Sequence, residues 1–301
     1  MLENISSHIF NELKNFNDNL KKSLTTNLSD YTNVLDYIYS NPGKQIRPIT
    51  GIFLAKILGD FNDKQENFLQ VIELIHNATL FHDDIIDESD VRRNKPALHK
   101  KFSNKIAILT GDYFLTVALK NMYEIANTEI NFLVSSYIQK ICEGEIEQNL
   151  TLNTIPTLEN YLGKTKNKTA LLFELTALGI SILSDNQNYN DNLKNFGLNF
   201  GMYFQIRDDL KNFESKDNKP VLNDLESGVI TAPIIFLSQE YNNILDLINN
   251  RKYDEILSLL DKSNAKNKTF ELMQKYLNMA KESLNQLPDS EYKDLLFNLL
   301  S

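Results

Sequence analysis

Asp83, Asp84 and Asp87 lie inside an apolar run, Leu80-Phe81-His82-Asp83-Asp84-Ile85-Ile86-Asp87, and nothing else in the chain limits its folding so tightly. Asp83 and Asp87 are four residues apart, so on a helix both project from one face. Uncompensated, that pair repels and weakens the helix, and burying it costs far more. A hard divalent cation removes the conflict. Mg²⁺ takes one or two carboxylates and leaves its other positions to water and phosphate oxygens. Arg92 and Arg93 follow closely and have the fork geometry that holds phosphate. Alone, an Asp-Asp-x-x-Asp string also fits a solvated helix face.

A second acidic pair in a similar setting shifts the balance. Phe204-Gln205-Ile206-Arg207-Asp208-Asp209-Leu210 again ends an apolar stretch in Asp-Asp. The chain has 26 Lys but only 5 Arg, at 47, 92, 93, 207 and 251. Three of these adjoin an acidic pair, and a fourth lies in Gly43-Lys44-Gln45-Ile46-Arg47-Pro48.

With 301 residues, of which 42% are hydrophobic, the chain can build a sizeable core. Lys+Arg 31 against Asp+Glu 40 leaves −9, which argues against nucleic acid as the main partner. The positive charge a phosphate substrate needs must therefore be local. The single Cys142 excludes an intrachain disulfide framework and fits a reducing, cytoplasmic setting. No signal peptide is apparent, and the longest apolar stretch, 169–183, is interrupted by Glu174 and falls short of the ~20 residues that span a bilayer. The expectation is a chain without a membrane anchor.

Apolar residues recur at three- and four-residue spacing in Ile9-Phe10-Leu13-Phe16-Leu20, in 68–75, 133–146, 193–210 and 272–284. No alternating β-branched run is flanked by hairpin signals, so no strand is expected. Seven prolines mark joints, and no linker or repeat divides the chain. The fold class is all-α: one domain over 1–301, a large bundle of ten or more helices around a central apolar tunnel. Gly197 and Gly201, four apart, read as a close helix approach. Two helices, each carrying an acidic pair near its C-terminal end, would set both carboxylate sets at the mouth of the bundle. A metal-lined rim above apolar walls suits a diphosphate head with a hydrocarbon tail.

The ordered set of motifs strongly resembles the trans-type isoprenyl diphosphate synthases, or polyprenyl synthetases, from about residue 41 to about 233. The first aspartate-rich motif is Asp83, Asp84 and Asp87 with Arg92-Arg93, and the Gly-Lys-x-x-Arg-Pro segment is 43–48. Lys168-Thr169, Phe204-Gln205, Asp208-Asp209, then Lys219, Asp224, Gly228, Thr231 and Pro233 follow in family order. The resemblance implies head-to-tail (1'-4) prenyl transfer from an allylic diphosphate to isopentenyl diphosphate, in a homodimer. It implies Mg²⁺ on Asp83, Asp87 and Asp208, with Asp84 and Asp209 completing the acidic motifs. Arg92, Lys168 and Lys219 would neutralise the allylic diphosphate. Lys44, Arg47, His76 and Arg93 would hold isopentenyl diphosphate, and Thr169 and Gln205 would turn oxygen dipoles to the allylic cation.

Small Ala78 and Thr79, one turn before the first motif, leave the tunnel open where short-chain members place a bulky aromatic. By resemblance the product is roughly C30 to C45, closest to the octaprenyl type that supplies quinone side chains. Transient membrane contact fits release of so apolar a product. His82 reads as a packing or hydrogen-bonding residue, His99 as equally suited to the phosphate region or the surface, and most of 143–148 as a solvated face.

Two departures stand out. Asn212 replaces the usual third Asp of the second motif, and Val229 follows Gly228 where the family tends to have Lys. They keep open a weakly catalytic partner subunit; a short-chain (C15–C20) synthase is the other alternative. A class I terpene cyclase would need Ser or Thr at 212 and Glu at 216, where Asn212 and Lys216 stand.

Overall fold

The computed structural model describes residues 2–150, 154–213, 224–226 and 228–300. Among these residues the chain is helical almost throughout. In order come α1 (Leu2–Ser7), α2 (Phe10–Ser23), α3 (Ser29–Tyr39), α4 (Ile46–Leu58) and α5 (Asp63–Ile86). After a small β-ribbon follow α6 (Leu98–Lys101), α7 (Asn104–Ile125), α8 (Thr128–Leu150) and α9 (Leu158–Thr165). A π-turn (Lys166–Ala170) leads into α10 (Leu171–Ile182), then α11 (Asn190–Asn212). Helices Ala232–Ser238, Ile244–Asn249, Tyr253–Lys262, Ala265–Asn285 and Glu291–Leu299 complete the chain. Each segment with three- and four-residue spacing is a helix, except that Ile9 lies in the turn before α2.

Helix starts follow from local chemistry. Asn62 caps α5 reciprocally with Gln65, its side chain accepting from Gln65 N at 3.0 Å while Gln65 Oε1 accepts from Asn62 N at 3.1 Å. Ser103 and Thr157 cap α7 and α9. Pro48 and Pro233 sit in first helical turns, where a missing N–H costs nothing.

The sequence shows no strand, yet β1 (Val91–Arg92) pairs antiparallel with β2 (Lys95–Pro96). Two residues per strand are too few to alternate. The turn gives the ribbon its shape: Arg93 and Asn94 both have left-handed φ, 52° and 62°, the combination a two-residue hairpin needs.

The residues group into two compact units. One comprises Met1–Leu133, Thr176–Asn190 and Leu287–Ser301; the other comprises Val134–Leu175 and Asp191–Gln286. In the first, α5 packs along α7, with Phe68, Leu69, Ile72 and Ile75 buried on one side and Phe114, Val117 and Met122 on the other. Phe81 meets Phe114 edge to face at 5.3 Å. In the second, Phe173, Phe196, Phe200 and Phe204 form an aromatic cluster. Glu174, the one charge in the long apolar stretch, is buried and accepts from the Tyr137 hydroxyl at 2.5 Å. No helix among the described residues is long and apolar enough to cross a membrane.

The Gly197 and Gly201 reading holds in atomic terms. A Cβ on Gly197 would lie 2.5 Å from the Phe173 carbonyl oxygen, and one on Gly201 2.5 Å from Ala170 Cα. Both obstacles are backbone, which cannot rotate aside. Gly197→Ala and Gly201→Ala are each expected to cost about 1–3 kcal/mol by overpacking. Gly163→Ala in α9, where nothing lies within 4 Å of the new methyl, is expected to be neutral or mildly stabilising. Urea unfolding of the three variants checks this.

Candidate active site

The first unit builds its acidic motif at the C-terminal end of α5. Asp87 is the C-cap residue, its N–H bonding to the Asp83 carbonyl at 2.7 Å. Carboxylates are unfavourable at this end of a helix, because the aligned peptide dipoles already place negative charge there. The same end attracts a cation. Asp87 is exposed and Asp83 half-buried. Asp84 is different: it is 1% exposed, and one of its oxygens takes both Arg92 Nε, at 2.8 Å, and Arg92 Nη2.

No cluster of three or more His, Cys, Asp or Glu side chains that could hold a metal occurs among the described residues. The donor set suits a hard cation such as Mg²⁺, which binds a few carboxylate oxygens and completes its shell with water and phosphate.

Beside this lies a cationic cluster. Arg47 Nη1 donates to His76 Nε2 at 3.2 Å, so that ring nitrogen carries no proton. Beneath them Glu73 is buried, with Asn77 Nδ2 donating to its Oε1 at 3.2 Å. Burial pushes the Glu73 carboxyl up, while Arg47 and Arg93 pull it back. Burial lowers Arg47 to about 10, opposed by Glu73 and reinforced by Arg93. His76 is held well below its ordinary 6.5 by burial and then by Arg47, Arg93 and Arg92. Arg47 stays charged at neutral pH while His76 is held neutral beside it, and an anion bound here would offset the like-charge repulsion.

Arg93 is fixed by the hairpin. Asn41 donates to its carbonyl at 2.7 Å, and Arg93 Nη1 returns a bond to the Asn41 carbonyl at 3.1 Å. The guanidinium crosses Gly43 so closely that a Cβ there would meet Cζ at 2.5 Å. The φ of +77° favours glycine at 43, and a side chain there would also have to displace the Arg93 guanidinium. Lys44 is exposed. Ala78 is fully buried, and half-buried Thr79 bonds back to the His76 carbonyl at 2.9 Å.

The second unit carries the other motif near the end of α11. Asp208 is half-buried. Asp209 is 4% exposed, accepting from the Tyr161 hydroxyl at 2.6 Å and from Gln205 Nε2 at 2.7 Å. Burial raises its carboxyl to about 7, against the pull of those two donors. Gln205 Oε1 accepts from Thr169 Oγ1 at 2.8 Å. Thr169 and Lys168 sit on the π-turn, a distortion common at functional positions. Lys168 pairs with Glu145 Oε2 at 3.1 Å. Arg207 lies over the Tyr203 and Phe204 rings. Lys219 falls outside the described residues.

The polyprenyl synthetase family's sequence profile matches residues 29–270. The chain belongs to the polyprenyl synthetase family. A prenyl transferase of Cyanidium caldarium is 33% identical, over 96% of this chain and 93% of its own length. Heptaprenyl diphosphate synthase component 2 of Bacillus subtilis is 35% identical, over 82% and 74%. The crystal structure of heptaprenyl diphosphate synthase from Staphylococcus aureus matches with a TM-score of 0.91 at 30% identity, covering 96% of each chain. The fold is the all-α isoprenoid synthase fold, and the enzyme is a prenyltransferase of the trans-polyprenyl diphosphate synthase class.

Against the family pattern, Asn212 donates to Asp224 Oδ2 at 3.2 Å, a position where a third Asp would confront another carboxylate. Val229 is half-buried and its N–H bonds to the Asp224 carbonyl at 2.8 Å. His82 bonds to the Ile108 carbonyl and faces Asp112, while His99 is buried rather than at the surface. Glu143 and Glu147 are exposed as expected, but Glu145 is drawn inward by Lys168. Sequence reasoning missed Glu73, Asn41, Tyr161 and Glu145. Glu73 had a signal, since a lone carboxylate inside the apolar stretch 68–75 needs a counter-charge.

His76 gives a test. Its folded pKa lies below the unfolded 6.5, so the unfolded chain takes the proton first. Stability is complete above the unfolded value and lost as pH falls through it. Ring resonances of His76 in the substrate-free enzyme are expected to stay neutral below pH 6.5 and to shift toward the protonated form when a diphosphate binds. His76→Gln is expected to lessen the acid destabilisation.

Proposed function

We propose that this chain condenses isopentenyl diphosphate head-to-tail onto farnesyl or geranyl diphosphate and releases a long-chain all-trans polyprenyl diphosphate. The observation that carries the reading is the Arg47–His76–Arg93 cluster over buried Glu73. It is a built anion site beside the carboxylates of α5, as a two-diphosphate reaction requires and a terpene cyclase does not.

In this reading Lys44, Arg47, His76 and Arg93 hold the diphosphate of isopentenyl diphosphate. Asp83, Asp87 and Asp208 would hold Mg²⁺. Bound there, the metal would supply positive charge against the charge that grows on the allylic diphosphate as its C–O bond ionises. Arg92, Lys168 and Lys219 add positive charge to that leaving group. Thr169 and Gln205 turn oxygen dipoles toward the allylic cation. The double bond of isopentenyl diphosphate attacks this cation, and the departing pyrophosphate takes the proton, so no side-chain nucleophile is needed. Asp84 and Asp209 act from behind, one through Arg92 and the other through Gln205. Residues 1–301 are one polyprenyl synthetase domain, acting in the cytoplasm.

Small Ala78 and Thr79 support growth to roughly C30 to C45, in the octaprenyl range that suits a quinone side chain. Incubating the purified chain with Mg²⁺, farnesyl diphosphate and isopentenyl diphosphate tests this by product mass. A chelator-sensitive product of about eight units is expected. A product that stops at C15 from geranyl diphosphate would overturn the long-chain assignment. The component-2 relative and the Asn212 and Val229 departures favour one other reading, a subunit that needs a partner chain. Binding of farnesyl diphosphate without elongation would select it.

A homodimer completes the proposal. Leu109, Leu119 and Tyr123 lie at helical spacing on the outer face of α7, exposed by 61%, 61% and 83%. A stripe of large apolar side chains of this kind marks an association surface. Light scattering is expected to give twice the 34.7 kDa chain mass, and the double variant Leu119→Glu, Tyr123→Glu the single mass.

A further inference from the structure

The dipole assigned to Gln205 has a weakness that the surrounding residues correct. A side-chain amide has two ends of opposite character, an oxygen that accepts and an NH₂ that donates. Turned the wrong way, it points partial positive charge at the cation it is meant to stabilise, and its shape alone decides nothing. Asp209 decides it in its ionised form, which only accepts. Its Oδ1 takes Gln205 Nε2 at 2.7 Å, which leaves Gln205 Oε1 for the Thr169 hydroxyl at 2.8 Å.

Asp209 can do this only while its own geometry is held. It is buried, and its second oxygen is engaged by the Tyr161 hydroxyl at 2.6 Å. Tyr161 is itself buried on α9, before the π-turn that carries Thr169. One connected path therefore runs from the phenol through the carboxylate and the amide to the threonine. A buried carboxylate that loses a strong donor is left with an unsatisfied oxygen, and nothing then holds the other oxygen in place against Gln205.

We propose that Tyr161 is a positioning residue for prenyl transfer: through Asp209 it fixes the Gln205 amide with its carbonyl oxygen toward Thr169, so that the dipole facing the allylic cation depends on a phenol that touches no substrate. The inference rests on the prenyl-transfer reading above. It assigns the phenol to the ionisation step and not to substrate binding.

The test uses the full chain. In Tyr161→Phe, kcat is expected to fall about tenfold, the loss of one charge-assisted buried hydrogen bond, with KM for both substrates within about twofold of wild type. An unchanged kcat, or a loss carried by KM, overturns the inference. Asp209→Asn keeps the volume but removes the acceptor-only character, and is expected to lower kcat similarly. Full kcat in that variant overturns the inference even if Tyr161→Phe does not fold.

A second readout needs no turnover. The side-chain amide signals of Gln205 in substrate-free protein, assigned by their loss in Gln205→Leu, are expected to be displaced in wild type and to move toward ordinary positions in Tyr161→Phe. Signals identical in the two proteins overturn the inference. A wild-type chain that elongates no prenyl diphosphate while its Gln205 signals respond would bring down the prenyl-transfer reading and leave the Tyr161–Gln205 link standing.

Discussion

A charge taken out of water must be partnered inside the protein, and both acidic motifs are built around that constraint. In each Asp-Asp pair the second carboxylate is the buried one. Asp84 is satisfied by Arg92 from the hairpin, and Asp209 by Tyr161 and Gln205. The first member of each pair, Asp83 or Asp208, keeps part of its surface at the C-terminal end of an apolar helix. There the helix dipole makes the carboxylate uncomfortable alone and receptive to a cation. On the proposed reading the adjacent aspartates of a pair divide the work: one would face the ligand while the other is bound to the scaffold.

The anion site follows the same rule with signs reversed. A chain of net charge −9 cannot attract a diphosphate by its overall field, so its positive charge is gathered locally. Crowding Arg47, Arg93 and His76 together is costly, and buried Glu73 offsets part of that cost. The hairpin turn and Gly43 then determine where the Arg93 guanidinium lies. Backbone geometry and electrostatics are coupled here: left-handed residues at 93 and 94 place a cation that the helices alone could not.

Much of this was legible in the sequence because its signals are periodic or ordered. The three- and four-residue spacing located the helices, the prolines located their joints, and the ordered motifs pointed to the chemistry. Gly197 and Gly201 were recognisable as a close approach, though not what they approach. The β-ribbon was invisible, being too short for alternation. Tyr161, Glu145 and Asn41 were invisible for another reason: their importance lies in a partner far along the chain, 48 residues away for Tyr161 and Asp209 and 52 for Asn41 and Arg93. The inward turn of Asp84 and Asp209 was hidden as well, since neighbouring residues on a helix point about 100° apart and sequence alone does not say which faces the core.

A crystal structure with Mg²⁺ and a non-cleavable thio analogue of farnesyl diphosphate would show whether the aspartates of each pair divide their roles in this way. Metal coordination by Asp83, Asp87 and Asp208 is expected. Asp84 is expected to stay on Arg92, and Asp209 on Tyr161 and Gln205. Direct metal ligation by Asp84 or Asp209, with those internal bonds broken, would contradict that division.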